Sequence, residues 1–437
     1  MKRVSCATLL IFGFGALIAP RCRAAAVSQD IKVEETRNQA EAGKHCLFVK
    51  DANGRPSPGV VIKKDRIEVL DDKGNPTNTV PLENVPAEAI ETHVYADPHG
   101  KVVGIQVTKG IDERREAWKT GEYYILDASG RKTLDLKPFN DATHPLPSPS
   151  GDYAVGWTNE MGPPIFYDAQ GTRNAWARKW YERAKKGFRG EPVAEWPDMF
   201  EASKAWFSRD GSRVAVHGTG PGPRASLVVY DASGNKLFEK DDAWNPVFSR
   251  DEARMAYAVV GKKIAVVDAS GAAVWEKSGI GLPEKFSEDG KLLLVQGREK
   301  LTMLDAATGK VIWDWQPTPG KLAELRHGAT PPEQGPLKGN QGFGFTLVAG
   351  TPDFSRVVAL GSTLKEEPVW PGKPQRRIAV EKDHLLVFDG KGNLLAWEEL
   401  PGDTFSVPTS EISISVSDDG KTIAVPGPGG MHYFSVK

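Results

Sequence analysis

Aspartate recurs along the chain at a regular spacing, and repeated carboxylates are the ligands that hard cations such as Ca²⁺ prefer. Successive aspartates at Asp231, Asp268 and Asp305 are 37 residues apart. A fixed period of this length places equivalent residues in separate structural repeats, so we expect the aspartates to lie far from one another. The aspartate and a following glycine recur in seven segments, at 70–74, 126–130, 167–171, 230–234, 267–271, 304–309 and 388–392.

The same residues suit a tight turn. An aspartate side chain accepts a hydrogen bond from the backbone two residues later, and the glycine supplies the positive φ of a hairpin with a bulge. A second series of turns, typified by SRDG and SEDG, occupies 96–100, 148–151, 208–211, 249–252, 287–290, 351–354 and 417–420. We therefore predict turn-forming aspartates and no metal site.

No other arrangement of reactive side chains predicts catalysis. The eight histidines are scattered without metal-ligand spacing. The sequence contains no HExxH, GxSxG or P-loop pattern. We predict no catalytic residue, no metal ligand and no bound cofactor.

The elements that carry these turns are short strands. The segment Phe286–Trp315 reads as two apolar strands, a turn before the first, a turn after the second, and a third strand that ends in tryptophan. Much of the chain repeats this unit imperfectly. Several short strands in a period near 40 residues are typical of a propeller blade.

Two motifs carry a family resemblance. LTMLDAATGKVIWDW (301–315) resembles the repeat of the quinoprotein-like (PQQ-type) propellers, and FSRDG (207–211) and FSEDG (286–290) resemble WD40-like and TolB-type bacterial repeats. The resemblance covers most of residues 60–437 and extends to BamB-type propellers. It implies a fold and leaves the activity open, because these families share blades and differ in function. The paired neighbouring cysteines common in quinoprotein dehydrogenases are missing.

The predicted fold class is all-β, a single propeller of seven or eight four-stranded blades with one short inserted helix. The turn count fits eight blades better than seven. The last unit lacks an outermost strand, and a strand from near the N-terminus would complete it and remove an exposed edge.

The N-terminal segment predicts export. Lys2 and Arg3 precede an apolar run over 4–19, and small residues follow at 24–26, as in a secretory signal peptide. We predict a signal peptide over 1–26, a linker or loosely attached strand over 27–44, and a propeller domain over 45–437. The predicted mature chain has 52 basic and 57 acidic residues, a balance that does not favour nucleic acid.

The repeat is interrupted three times, and function on repeat scaffolds tends to reside in such insertions. The first insertion, 172–206, contains NAWARKWYERAKKG, which predicts an amphipathic helix. One interpretation is a docking helix for a partner or an anionic surface. The other is a helix packed by its aromatic face onto the propeller, with a solvated basic face. The candidate contact residues are Trp176, Arg178, Lys179, Trp180, Arg183 and Lys186.

The second insertion, 316–345, is rich in proline and glycine, and the third spans 362–383. They come from neighbouring blades, so we expect them to converge on one face. Together they would offer histidine, arginine and tryptophan to an anionic or sugar-like ligand, although a lone histidine is more often structural. The candidate residues are Arg326, His327, Trp370, Arg376 and Arg377.

These observations favour an exported, non-catalytic propeller that serves as a protein-binding or scaffold module in the bacterial envelope, periplasmic or secreted. We expect a monomer with an envelope protein partner, no nucleic acid and no transmembrane span in the mature chain. The alternative is a periplasmic propeller enzyme, a quinone-dependent oxidoreductase or a lyase, with a site built from loops.

Overall fold

The fold is a β-propeller of four-stranded antiparallel sheets. The computed structural model describes residues 33–39, 46–50, 56–62, 66–70, 76–81, 91–96, 102–112, 117–127, 132–136, 142–158, 164–174, 201–219, 225–260, 263–327, 343–368, 376–400, 414–417, 419–427 and 430–437. The described strands form eight four-stranded sheets, which we number as blades 1 to 8 along the chain. The predicted fold class is confirmed.

Blades 1 to 4 each use four consecutive strands, the first of them innermost. Blade 1 comprises β2 (Cys46–Lys50), β3 (Pro56–Ile62), β4 (Arg66–Leu70) and β5 (Pro76–Pro81). Blade 2 comprises β6 (Glu91–Ala96), β7 (Val102–Asp112), β8 (Ala117–Asp127) and β9 (Lys132–Leu136). Blade 3 comprises β10 (Ala142–Pro147), β11 (Ala154–Thr158), β12 (Ile165–Asp168) and β13 (Gly171–Thr172). Blade 4 comprises β14 (Glu201–Phe207), β15 (Arg213–Thr219), β16 (Ala225–Asp231) and β17 (Lys236–Asp241).

Blades 5 to 7 continue in the same order. Blade 5 comprises β18 (Ala243–Phe248), β19 (Arg254–Val259), β20 (Lys263–Asp268) and β21 (Ala273–Ser278). Blade 6 comprises β22 (Leu282–Phe286), β23 (Leu292–Gln296), β24 (Leu301–Asp305) and β25 (Val311–Trp315). Blade 7 comprises β26 (Phe343–Gly350), β27 (Arg356–Pro368), β28 (Arg376–Asp389) and β29 (Leu394–Leu400). A helix, α1 (Pro319–His327), lies between β25 and β26.

Blade 8 joins the two ends of the chain. Its inner strands are β30 (Ser415–Val416), β31 (Thr422–Gly427) and β32 (Gly430–Val436), and its outermost strand is β1 (Val33–Gln39). β1 pairs antiparallel with β32. The predicted closing strand is therefore confirmed, and it lies within 27–44, where we allowed a linker or a loosely attached strand. The domain boundaries otherwise remain predictions.

The core is divided among the spaces between neighbouring blades. Alternate residues of one central strand face opposite neighbours: in β15, Val214 and Val216 belong to the cluster shared with blade 3, and Ala215 to the cluster shared with blade 5. All three side chains are fully buried. Central strands therefore bury both faces, which explains their nearly continuous apolar sequences.

The two turn series behave as predicted. In the outer turn of blade 5, Asp268 Oδ1 accepts the N–H of Ser270 at 2.9 Å, and Gly271 has a φ of 84°. In the inner turn of blade 6, Ser287 Oγ donates to Asp289 Oδ1 at 2.7 Å, and Gly290 has a φ of 69°. The aspartates are therefore committed to their own hairpins.

Tryptophans link blade 5 to blade 6 and blade 6 to blade 7. Trp275 of blade 5 donates its indole N–H to Ala306 O of blade 6 at 3.0 Å. Trp313 of blade 6 donates to Gly390 O of blade 7 at 3.1 Å. At these two positions a tryptophan of the outermost strand joins its blade to the following one.

Candidate binding face

The topology places the described ends of all three insertions on one face of the propeller. In an antiparallel blade, the connections between the first and second strands and between the third and fourth strands lie at one end. The connection between the second and third strands and the connection to the next blade lie at the opposite end. The segment 172–206 joins β13 to β14, and 316–345 joins β25 to β26, so both connect one blade to the next. The segment 362–383 joins β27 to β28, the second and third strands of blade 7. We call this side the insertion face and the opposite side, which holds both turn series, the turn face.

The second insertion contains the helix α1, which our reading of its composition missed. Thr318 accepts two hydrogen bonds from the first turn of the helix, at its hydroxyl from the N–H of Lys321 (3.2 Å) and at its carbonyl from the N–H of Leu322 (2.8 Å). Pro319 is the first helical residue. A threonine cap followed by proline is a known signal for a helix start, and it was readable in the sequence.

α1 is packed against blades 6 and 7. Leu322 and Leu325 are buried in a cluster with Phe343 and Phe345 of β26 and with Trp313 of β25. The helix also contacts β27 and β28. The helix of the second insertion therefore packs on blade 7, the blade that carries the third insertion.

One polar contact fixes the helix to the outermost strand of blade 7. Glu324 Oε1 accepts the indole N–H of Trp397 at 3.1 Å, and Glu324 Oε2 accepts Lys321 Nζ at 2.7 Å. Trp397 thus differs from Trp275 and Trp313, whose indoles bind the following blade. The sequence predicted no role for Glu324.

The third insertion is a two-stranded arm. β27 and β28 continue to pair beyond the ends of β26 and β29, from Leu364↔Val380 to Pro368↔Arg376. We call residues 364–368 and 376–380 the arm. Within the described part of the chain, no third strand pairs with it. Its register places Glu367 opposite Arg377.

Buried polar residues lie at the base of the arm. Ser362 Oγ donates to Asp383 Oδ1 at 2.5 Å, and both residues are almost wholly buried. His384 is fully buried, and its ring meets that of Trp397 edge-on with the centroids 5.6 Å apart. Neither ring nitrogen has a hydrogen-bond partner among the described residues. Burial lowers the pKa of His384 to about 4, so the ring is neutral near pH 7.

The predicted site residues fall into three groups. Arg326 and His327 lie in the last turn of α1, and Arg376 and Arg377 begin β28 in the arm. The structure thus brings the elements of these two pairs together at blade 7. Outside the described residues lie Trp370 and the predicted helix of the first insertion, with Trp176, Arg178, Lys179, Trp180, Arg183 and Lys186.

Metal-ligating groups and membrane spans were searched among the described residues. No group of three or more histidine, cysteine, aspartate or glutamate side chains there could hold a metal ion. None of the helices in that part of the chain is long and apolar enough to span a membrane.

Comparison with known proteins identifies the fold. No family model matches the sequence, and no curated protein matches it. The C-terminal WD40 domain of Sif2 matches with a TM-score of 0.52 and 10% identity, over 92% of this chain and 97% of that one.

Two further solved structures match less closely. BamB from Moraxella catarrhalis has a TM-score of 0.48 and 11% identity, over 92% of this chain and 97% of that one. The Dos1 propeller has a TM-score of 0.48 and 10% identity, over 92% and 94%. Identities this low show the fold alone. The match to the Sif2 domain therefore shows a β-propeller fold, in agreement with the eight described sheets.

Proposed function

We propose that this protein is an exported, non-catalytic propeller that binds a protein partner in the bacterial envelope through its insertion face. One observation carries the proposal: α1 of the second insertion packs on blade 7, the blade from which the arm of the third insertion extends. Leu325 of the helix is fully buried, and Glu324 accepts a hydrogen bond from Trp397. Blade 7 is thus a rigid support for parts of two insertions, and binding residues are commonly placed on loops that a rigid scaffold positions.

The backbone of the arm suggests how a partner is held. Among the described residues, no third strand pairs with 365–368 or 376–380, so the backbone of these segments can offer N–H and C=O groups to a partner. An extended peptide can add to such an edge as a further strand. Charged residues at positions 365–367, 376 and 377 would then select the sequence that binds.

The first insertion supports the same face. The segment leaves β13 and enters β14 on the insertion side, and we propose that its predicted basic and aromatic helix adds to the same face. Its docking role remains a proposal. The signal peptide predicted over 1–26 is the reason for placing the partner in the envelope.

The experiment is a quantitative capture from envelope extracts with three forms of the purified protein. In the arm variant, residues 366–378 are replaced by Asn-Gly, which closes a two-residue hairpin between Lys365 and Ala379. The control, Lys291→Ala, alters an exposed side chain on the turn face. We expect a protein whose recovery falls at least fivefold with the arm variant and is unchanged with the control.

Equal recovery of every captured protein with the arm variant and the control would refute binding through the arm. The predicted helix is tested in the same assay by replacing Arg178, Lys179, Arg183 and Lys186 with serine. Unchanged recovery would indicate that the segment packs onto the propeller and does not bind the partner. A saturable rise of several degrees in Tm with a quinone cofactor plus Ca²⁺ would instead support the quinone-dependent enzyme.

A further inference from the structure

The turn face carries a charge cluster that the proposed function does not use. Arg209, Arg250 and Glu288 occupy the same position, the second residue of the inner turn, in blades 4, 5 and 6. The inner turn follows the innermost strand of each blade. These side chains therefore start from equivalent points around the propeller axis.

The three side chains converge on one atom. Arg209 Nη1 lies 2.7 Å from Glu288 Oε1. Arg250 Nη1 forms an ion pair with the same oxygen. Arg209 belongs to blade 4 and Glu288 to blade 6, so the contact passes over the intervening blade. Two guanidinium groups from different blades thus surround a single carboxylate oxygen.

Two guanidinium groups and one carboxylate make up the ion-paired cluster. The neighbouring carboxylates of Asp210, Asp251 and Asp289 stay negatively charged, and each accepts a hydrogen bond from the serine of its own turn. The equivalent residues of blades 3 and 7 are Pro149 and Pro352, which are uncharged, and that of blade 8, Asp418, lies outside the described residues.

Glu252 is the other acid at these turns, and it is already engaged. It accepts hydrogen bonds from the N–H of Asp210 at 3.1 Å and from Ser212 Oγ at 2.7 Å. Partial burial and the charge of Arg209 lower the pKa of Arg250, as expected where like charges are close.

The cluster is open to solvent. The side chains of Arg209, Arg250 and Glu288 are 24%, 42% and 28% exposed. A fork of guanidinium donors around one oxygen matches the geometry of carboxylate and phosphate groups. Glu288 therefore marks the place that an external oxyanion would take.

We propose that Arg209 and Arg250 form a binding site for an oxyanion, a phosphate or carboxylate group, which displaces Glu288 from the two guanidinium groups. The site lies on the face opposite to α1 and the arm, so its ligand is separate from the partner proposed there. Glu288 acts as an internal competitor that weakens binding.

The test is isothermal titration of the purified protein with inorganic phosphate and, separately, with succinate. Glu288→Gln removes the competing charge and keeps the shape of the side chain. We expect it to bind one or both anions at least tenfold more tightly than the unaltered protein. The double variant Arg250→Gln/Glu288→Gln should lose this gain. Tighter phosphate binding identifies a phosphate ligand, and tighter succinate binding a carboxylate ligand.

The matched control is Glu239→Gln, which removes the same charge from the exposed pair with Lys236 on the outer strand of blade 4. If Glu288→Gln and Glu239→Gln bind both anions equally, the gain is a long-range charge effect and the site is refuted. Should the Glu288 variant misfold, hydrogen exchange on the unaltered protein decides. Phosphate or succinate must slow exchange in 208–212 and 249–253 relative to chloride at equal ionic strength, and identical exchange would overturn the proposal.

Discussion

The indole N–H of Trp397 donates a 3.1 Å hydrogen bond to Oε1 of Glu324, and this bond ties the helix α1 to blade 7. Trp275 and Trp313 of blades 5 and 6 bind the backbone of the next blade. In blade 7 the position of these two tryptophans is held by Ala396, and Trp397 lies one residue further along β29. Because successive residues of a strand face opposite sides, this shift by one residue explains why Trp397 anchors an insertion and does not join two blades.

Trp397→Phe should loosen α1. The substitution removes the hydrogen bond and leaves the carboxylate of Glu324 with one fewer partner, a loss of roughly 1–3 kcal/mol. Hydrogen exchange in 319–327 should accelerate. The matched control is Trp275→Phe, which removes the bond to Ala306 between blades 5 and 6. It should lower overall stability and leave exchange in α1 unchanged, and faster exchange with both variants would contradict the specific anchor.

Gly392→Ala should strongly destabilise the junction of blades 6 and 7. Gly392 has a φ of 81°, and a Cβ there would lie 2.6 Å from Cδ2 of Trp313. The left-handed conformation costs alanine roughly 1–2 kcal/mol, and the overlap adds about 1–3 kcal/mol. Gly279→Ala is the control, because Gly279 has a similar φ of 78° and open space around it. Urea unfolding should show the larger loss at Gly392, and equal losses would show that Trp313 adjusts freely.

The turns were predictable because their chemistry is local. The serine, aspartate and glycine of an inner turn satisfy one another within five residues, so their order alone indicates a hairpin. The start of α1 was equally local, because Thr318 and Pro319 form a helix-start signal, but we considered only the proline and glycine content of this segment and predicted no helix for it.

The contacts that build the candidate sites are not local. Glu324 and Trp397 are 73 residues apart, and Arg209 and Glu288 are 79 residues apart. Nothing in either neighbourhood distinguishes these residues from ordinary surface charges or blade-ending tryptophans. Only the closed geometry of the repeat places them together, which is why the sequence predicted the scaffold and the face but not these pairs.

The unaltered protein should lose stability in acid because His384 is buried, and His384→Phe should remove this loss. Burial lowers the pKa of His384 from 6.5 to about 4, and the charge of Glu399 offsets this only in part. The unfolded chain binds the proton first, so the stabilisation is complete above pH 6.5 and falls by about 3 kcal/mol as the pH approaches 4. Urea unfolding from pH 4 to 8 should show a shallower slope for the variant. Substitution of the partly exposed His217 by glutamine should change the slope less, and an unchanged slope for His384→Phe would contradict the assignment.

Glu284→Gln should have the opposite pH dependence. Glu284 is the extra residue at the bulge of β22, the innermost strand of blade 6. Burial raises the pKa of its carboxyl from 4.5 to about 7. The folded state therefore holds the proton more tightly, and stability is complete below pH 4.5 and falls by about 3 kcal/mol as the pH rises through 7. The neutral glutamine avoids this penalty, so the variant should gain stability at pH 8 and none at pH 4. Glu239→Gln, at an exposed site, should show no such gain. Equal gains at both pH values would show that the gain does not depend on ionisation of Glu284, which would contradict a pKa raised by folding.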